Sequence, residues 1–189
     1  MIRAATAEDA EAIARVHTQA WAETYAEIGP PEVLSRWTVA DRTARWQRII
    51  SGDPPEPHRA EVAVLDRGAS ILGFASWGEQ RDDALRARGF TGEISAIYLL
   101  RVAQGRGNGR ALMAHAARGL LARGHDAAAV WVFSSNAPAR RFYEGLGGVA
   151  VAEQPFEIEG ATLLETAYAW ATLATASTAW DTIGVGSSQ

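Results

Sequence analysis

Three glycines at alternate positions, Gly105, Gly107 and Gly109, stand with Arg106 and Arg110 just ahead of an alanine-rich, apolar-striped segment. A helix that begins there exposes unpaired N–H groups and the positive end of its dipole. Glycines ahead of it permit positive φ and a close backbone approach to a ligand. The two together form an anion site suited to a diphosphate. Arg106 and Arg110 add charged donors to it. A lone carboxylate, Glu93, heads the strand-like run GEISAIYLL that leads into this elbow, eleven residues before Gln104.

Competing phosphate motifs fit less well. A P-loop requires Gly-Lys-Ser/Thr, whereas Gly109 is followed by Arg110-Ala111. A dinucleotide fingerprint requires Gly-x-Gly-x-x-Gly and an acid at the end of the next strand. Here that strand ends Phe133-Ser134-Ser135. A tight turn with no ligand is the remaining alternative.

The elements that must position these residues follow from period and punctuation. MIRAAT is β-like, and Thr6 can cap a helix carrying Ile13, Val16 and Ala20. The prolines of EIGPPEV end that helix. A second helix is expected from about Asp41 to Ile50. The period then changes to two: RAEVAVLD and SILGFASWG read as strands joined at Asp66-Arg67-Gly68-Ala69. EISAIYLL is a strand, Gly107 to about Arg123 a helix closed by Gly124, and AAAVWVF a buried strand. SNAPARRFYEGLG reads as a short helix capped by Asn136, with Pro138 in its first turn. VAVAEQPFEI and TLLETAYAWATL form a final hairpin. The order β-α-α-β-β-β-α-β-α-β-β makes an α+β domain over residues 1–174. Its sheet is mostly antiparallel with one β-α-β crossover. Residues 175–189 are Ser/Thr/Gly-rich without a visible period and read as a mobile end, with docking of Trp180 and Ile183 as the alternative.

Composition bounds the class. The 189 residues favour one domain, and a net charge of −4 argues against a nucleic-acid-coating surface. There is no cysteine, hence no disulfide and no thiolate nucleophile. The four histidines show no metal-ligand spacing, so no metal is expected. No run approaches the ~18 apolar residues of a membrane span, and the N-terminus has no signal-like apolar core. A cytoplasmic protein without a membrane partner is the expectation.

Gln104-Gly-Arg-Gly107-Asn-Gly109 also follows the pattern Gln/Arg-x-x-Gly-x-Gly/Ala. Downstream, NAPARRFYEGLGG supplies Asn136, Ala139, Phe142, Tyr143, Glu144 and Gly147 in the spacing Asn-x-x-Ala-x-x-Phe-Tyr-Glu-x-x-Gly. In these two motifs the chain resembles the GCN5-related N-acetyltransferase (GNAT) family, with a likeness spanning roughly residues 1–173. Two departures stand out: Gly148 replaces the usual closing aromatic, and Arg101 a frequent proline. The resemblance implies the acyl-CoA N-acyltransferase fold, a central mostly antiparallel sheet flanked by helices, and transfer of acetyl from acetyl-CoA to an amine. It implies that the backbone of Gln104, Gly105, Arg106, Gly107, Asn108, Gly109 and Arg110 holds the pyrophosphate. It also implies that Ile97, Tyr98 and Leu99 pair with the pantetheine arm, and that Asn136 and Tyr143 touch it. Two strands would splay apart around the thioester.

Glu93 matches the glutamate base of the histone-acetylating members in spacing. Simple alternation would put it on one face with Ser95, Ile97 and Leu99; a solvated carboxylate, with water as the base, is the other reading. Tyr143 is the candidate acid for the leaving thiolate. A core tyrosine is its bland counterpart, and Ser134 or Ser135 are substitutes. His115 and His125 read as a packed and a surface histidine. Without cysteine, attack is expected to be direct, in a ternary complex.

In the family the first two helices, their connecting loop and the last hairpin shape the acceptor pocket. These supply Trp21, Tyr25, Trp37, Trp46 and Phe156, with Glu23, Glu27, Glu32, Asp41, Glu153 and Glu157 nearby. Trp21, Tyr25 and Glu93 are the candidate acceptor-binding residues. Aromatics with carboxylates suit a cationic small-molecule amine, a polyamine or an aminoglycoside-like one, although tryptophans at helical spacing often belong to a core. A protein acetyltransferase and a non-catalytic acyl-CoA sensor are the alternatives. The final hairpin and Trp180 are candidate homodimer surfaces.

Overall fold

A computed structural model describes residues 1–25, 38–52, 60–68, 70–158 and 161–182. Trp37, Glu27 and Glu32 lie outside the described residues, as does the side chain of Tyr25. In chain order the elements are β1 Ile2–Ala4, α1 Ala10–Tyr25, α2 Val39–Ser51, β2 Glu61–Asp66, β3 Ile71–Glu79 and α3 Asp83–Ala87. They continue with β4 Gly92–Leu99, α4 Asn108–Ala122, β5 Ala128–Phe133, α5 Ala137–Gly145, β6 Val149–Ile158, β7 Ala161–Trp170 and α6 Leu173–Thr182. The strands form one sheet in the order β1-β2-β3-β4-β5-β7-β6, antiparallel except at β4–β5.

Alternation along the strands feeds two cores. Val62, Val64 and Phe74 face α1 and α2, where they pack with Ile13, Val16 and Trp46. Ala63, Ala75 and Ile94 face α4 and meet Leu112, Met113 and Leu120. The small residues on that face let the helix approach: a Cβ at Gly119 of α4 would lie 2.3 Å from the Trp77 indole. Pro155 sits in β6, at the sheet edge, where a missing N–H costs least.

The chain end differs from the sequence expectation. Residues 173–182 are helical and docked. Leu173, Ser177 and Trp180 are buried on one face, and the Trp180 indole donates to the Leu146 carbonyl at 3.0 Å and meets Trp170 edge to face. The period i, i+4, i+7 was present but carried by a serine. Trp180 is therefore spent within its own chain and is not a surface for a second copy. Among the described residues no helix is long and apolar enough to cross a membrane.

Candidate active site

The site begins where the sheet comes apart. β4 pairs with β3 from Gly92 to Leu99, but its other edge pairs with β5 only at Gly92–Ala128 and Glu93–Ala129. Beyond that vertex both strands line a cavity of about 1840 Å³ that also reaches the elbow, α1, α2 and α5. That exceeds the ~300–1,000 Å³ of an ordinary ligand pocket, and leaves room for a large cofactor and an acceptor together.

The elbow is built as its glycines suggest. A single turn at Arg101–Ala103 is followed by Gly105 at φ +70° and Gly107 at φ +75°, the latter capping α4. Gly109 plays another part. It lies within α4, and a Cβ there would approach Phe142 to 3.2 Å and Leu99 to 3.3 Å, so its smallness brings α4, α5 and β4 together. Asn108 donates to the Ala103 carbonyl (2.8 Å) and Gln104 to that of Leu99 (3.0 Å), which fixes the loop. Arg101, in the place of the family's proline, instead anchors the elbow to Glu23 of α1 through its backbone N–H at 3.0 Å. Gln104, Gly105, Gly107, Gly109 and Arg110 line the cavity; Arg106 and Asn108 stand outside its lining.

Glu93 sits at the vertex, 6 % exposed, on a face other than the one alternation predicts. Trp77 pairs with Ile94 and Ser76 with Ala96, so Ser95 is the extra residue of a β-bulge. One extra residue reverses the facing of everything beyond it. Ile94 thus shares the α4 side with Ile97 and Leu99, while Ala96 and Tyr98 pack toward α1 and α2. Glu93, paired with Ala129, shares the latter face. Arg81 clamps its carboxylate: Nε donates to Oε2 at 2.8 Å, Nη2 to Oε1 at 2.5 Å, and the Arg81 backbone N–H to Oε2 at 3.1 Å. Nothing local in the sequence pairs these residues, because the contact depends on the turn leading into α3.

Across the gap, Asn136 Oδ1 accepts from the Ala139 N–H at 3.2 Å and starts α5. About two turns later Tyr143 lines the cavity at 5 % exposure, its ring 5.3 Å from Phe142 and 6.1 Å from Trp170. The absent aromatic at Gly148 has an explanation. A Cβ there would lie 2.9 Å from the Trp170 ring, so β7 supplies the indole that fills this place. Glu144 accepts from the Tyr168 hydroxyl at 2.6 Å and is structural. Ser134 is bonded to Thr166 at 2.7 Å, and neither it nor Ser135 lines the cavity.

The remaining wall of the cavity combines expected and unexpected groups. Trp21 lines it, 6.1 Å from Phe133, which in turn meets Phe156 at 5.6 Å. Ile97, Tyr98 and Leu99 line it from β4, with the Tyr98 ring 4.5 Å from His17. Trp46, buried in the helical core, also lines it and donates to His17 Nδ1. Of the acids, Asp41 is spent on the capping box with Thr38, and Glu153 lies outside the lining, whereas Glu23 and Glu157 line it. Sequence reasoning missed Glu165 of β7, Arg81, and the His17–Arg42 pair; a charge within the apolar run TLLETAYAW was the available signal for the first. Burial pushes the Glu165 carboxyl up, against a hydrogen bond from Gln154, and the charges of Asp82 and Glu93 push it further. Burial, with Arg42 and Arg45 nearby, holds His17 down at about 3, so its ring is neutral. His115 packs edge to face on Trp77, and burial holds it below the usual histidine range.

A glycine elbow at a helix start, a splayed parallel strand pair and a capped helix opposite define a site for an acyl-CoA thioester. The sequence profile of the Acetyltransferase (GNAT) family matches residues 14–147. The chain belongs to that family and is an acetyl-CoA-dependent N-acetyltransferase. It is 36 % identical over 178 residues to YuaI, an uncharacterized N-acetyltransferase of Bacillus subtilis (strain 168), covering 94 % of this chain and 96 % of that one. Its fold is similar to that of PaiA N-acetyltransferase from Thermoplasma acidophilum in complex with coenzyme A (TM-score 0.68, 17 % identity, 88 % and 96 % of the two chains). It is also similar to YncA, a putative acetyltransferase from Salmonella typhimurium with acetyl-CoA (TM-score 0.65, 23 % identity, 92 % and 93 %).

Proposed function

We propose that the enzyme acetylates the primary amine of a small cationic molecule by direct attack within a ternary complex, in the cytoplasm. The observation that carries this is the vertex itself. A buried carboxylate, Glu93, stands where the β4–β5 gap opens, in the same cavity that the diphosphate-type elbow and the aromatic residues Trp21, Phe133 and Phe156 line. Glu165 and Glu157 line the same cavity. An arriving ammonium relieves the repulsion that Glu93 and Asp82 impose on Glu165, and aromatic faces favour cations. Polyamines and aminoglycoside-like amines belong to this class.

The pyrophosphate rests on the backbone from Gln104 to Arg110 and the pantetheine lies along Ile97–Leu99, with Asn136 and Tyr143 beside it. Glu93, oriented by Arg81, takes the ammonium proton directly or through a water. The amine nitrogen then attacks the thioester carbonyl, the C–S bond breaks, and the Tyr143 hydroxyl protonates the departing thiolate; the second proton, shed by the acylated nitrogen, passes through water to restore Tyr143, and Glu93 returns its proton to solvent. Two copies of the chain associate through the β6–β7 hairpin, where Val149 and Leu164 are exposed; light scattering reads this directly.

The test is free-thiol release at saturating acetyl-CoA across a panel of amines, after calorimetric titration with acetyl-CoA, CoA and NAD. Turnover of one amine class is expected. Acetyl-CoA binding without turnover of any small amine would remove the small-molecule acceptor. In the same assay Glu93→Gln is expected to lower kcat/KM about 10²-fold, the usual weight of a positioned base, and to flatten the rising limb of the pH–rate profile. An unchanged profile leaves water as the proton acceptor.

A further inference from the structure

Arg42 is a cation with no carboxylate partner among the described residues. It is 7 % exposed, lies on α2 and lines the cavity. Its Nη1 lies 2.8 Å from Nε2 and 3.0 Å from Nδ1 of His17, and its guanidinium stacks 5.7 Å from the Trp21 ring centre. Both neighbours are uncharged, since His17 is neutral and already takes the Trp46 indole N–H at 3.3 Å. No carboxylate among the described residues pairs with Arg42; burial disfavours its charge, the Tyr98 hydroxyl favours it, and Arg45, a second positive charge, opposes it. Its Nε is buried with no hydrogen-bond partner. Nη2 donates to no described residue, so among the described residues the Nε/Nη2 edge has no partner. That edge is the one that meets a carboxylate through two parallel hydrogen bonds.

A buried, uncompensated charge is costly, and proteins keep one where a ligand completes it. We propose that Arg42 binds a carboxylate on the acceptor, so that the substrate is a zwitterion: an amine presented at the Glu93 vertex and an oxyanion held by the helical wall. The inference rests on the small-amine acceptor proposed above and narrows it from any cationic amine to an amino-acid-like one. Trp21 then lies against the guanidinium, and neutral His17, whose Nδ1 accepts from both the Trp46 indole and Arg42 Nη1, holds that nitrogen without cancelling its charge.

Matched acceptor pairs that differ only in the carboxylate test this: L-lysine against cadaverine, L-methionine against methioninamide, and 5-aminovalerate against pentylamine. In each productive pair the carboxylate member is expected to have a kcat/KM about ten- to a hundredfold higher, the worth of hydrogen bonds to a charged group. In Arg42→Met that ratio is expected to collapse toward one, through KM rather than kcat. Arg42→Lys is expected to restore part of the ratio, because it keeps the charge and loses the fork. Should Arg42→Met not fold, the wild-type ratios and Arg42→Lys still decide. Equal or better turnover of the carboxylate-free members overturns the inference and leaves the small-amine enzyme standing. An Arg42→Met ratio equal to wild type also overturns it. No thiol release from any member overturns both.

Discussion

Gly107→Glu abolishes acetyl-CoA binding while the domain stays folded: calorimetry is expected to show affinity reduced by about a hundredfold or more, equivalent to about 2.7 kcal/mol or above. The cause is not a clash, since a Cβ at this position meets nothing within 4 Å. Two other effects combine. Gly107 sits at φ +75° as the cap of α4, and a side chain there costs roughly 1–2 kcal/mol of backbone strain. The new carboxylate also faces the pyrophosphate across the positive helix end that was to hold it. Gly107→Ala separates the two. It carries the strain without the charge, so it is expected to lower stability modestly and to bind acetyl-CoA far better than the Glu variant. Wild-type affinity in a folded Gly107→Glu protein would mean that the elbow holds no phosphate.

Tyr143→Phe is expected to lower kcat by about 10²-fold or more, within the usual range for a general acid, with little change in acetyl-CoA affinity. The ring is retained, so the packing against Phe142, Tyr168 and Trp170 persists and the fold is little disturbed. Only the hydroxyl is lost, and with it the proton for the thiolate. Single-turnover measurement of thiol release separates this step from product dissociation. A wild-type rate would make Tyr143 a core tyrosine that lines the cavity without entering the chemistry. A loss confined to KM would make it a binding contact for the pantetheine arm.

The chain by itself determined what local backbone chemistry determines. Glycines that need positive φ, a helix that starts on them, Asn136 as a cap and Pro138 in a first turn are each decided within a few residues. The elbow, α5 and the order of elements apart from α3 and α6 were therefore legible, and the two motifs carried the family. The tertiary structure decided what depends on partners distant in sequence. The side that Glu93 faces was set by a bulge at Ser95, a mismatch between β3 and β4 that neither strand announces alone. Its clamp by Arg81 and its electrostatic neighbour Glu165 come from segments 12 and 72 residues away. The Gly148 departure was resolved only by Trp170 arriving from β7. The last helix, ten residues and too short to hold alone, forms because Leu173 and Trp180 bury themselves against α4 and its surroundings, a stabilisation available only after the sheet and α4 exist. Arg42 reads in sequence as one more surface arginine of a polar helix. Only the packing of α1 on α2 buries it beside a neutral histidine and a tryptophan, with its Nε lacking a hydrogen-bond partner.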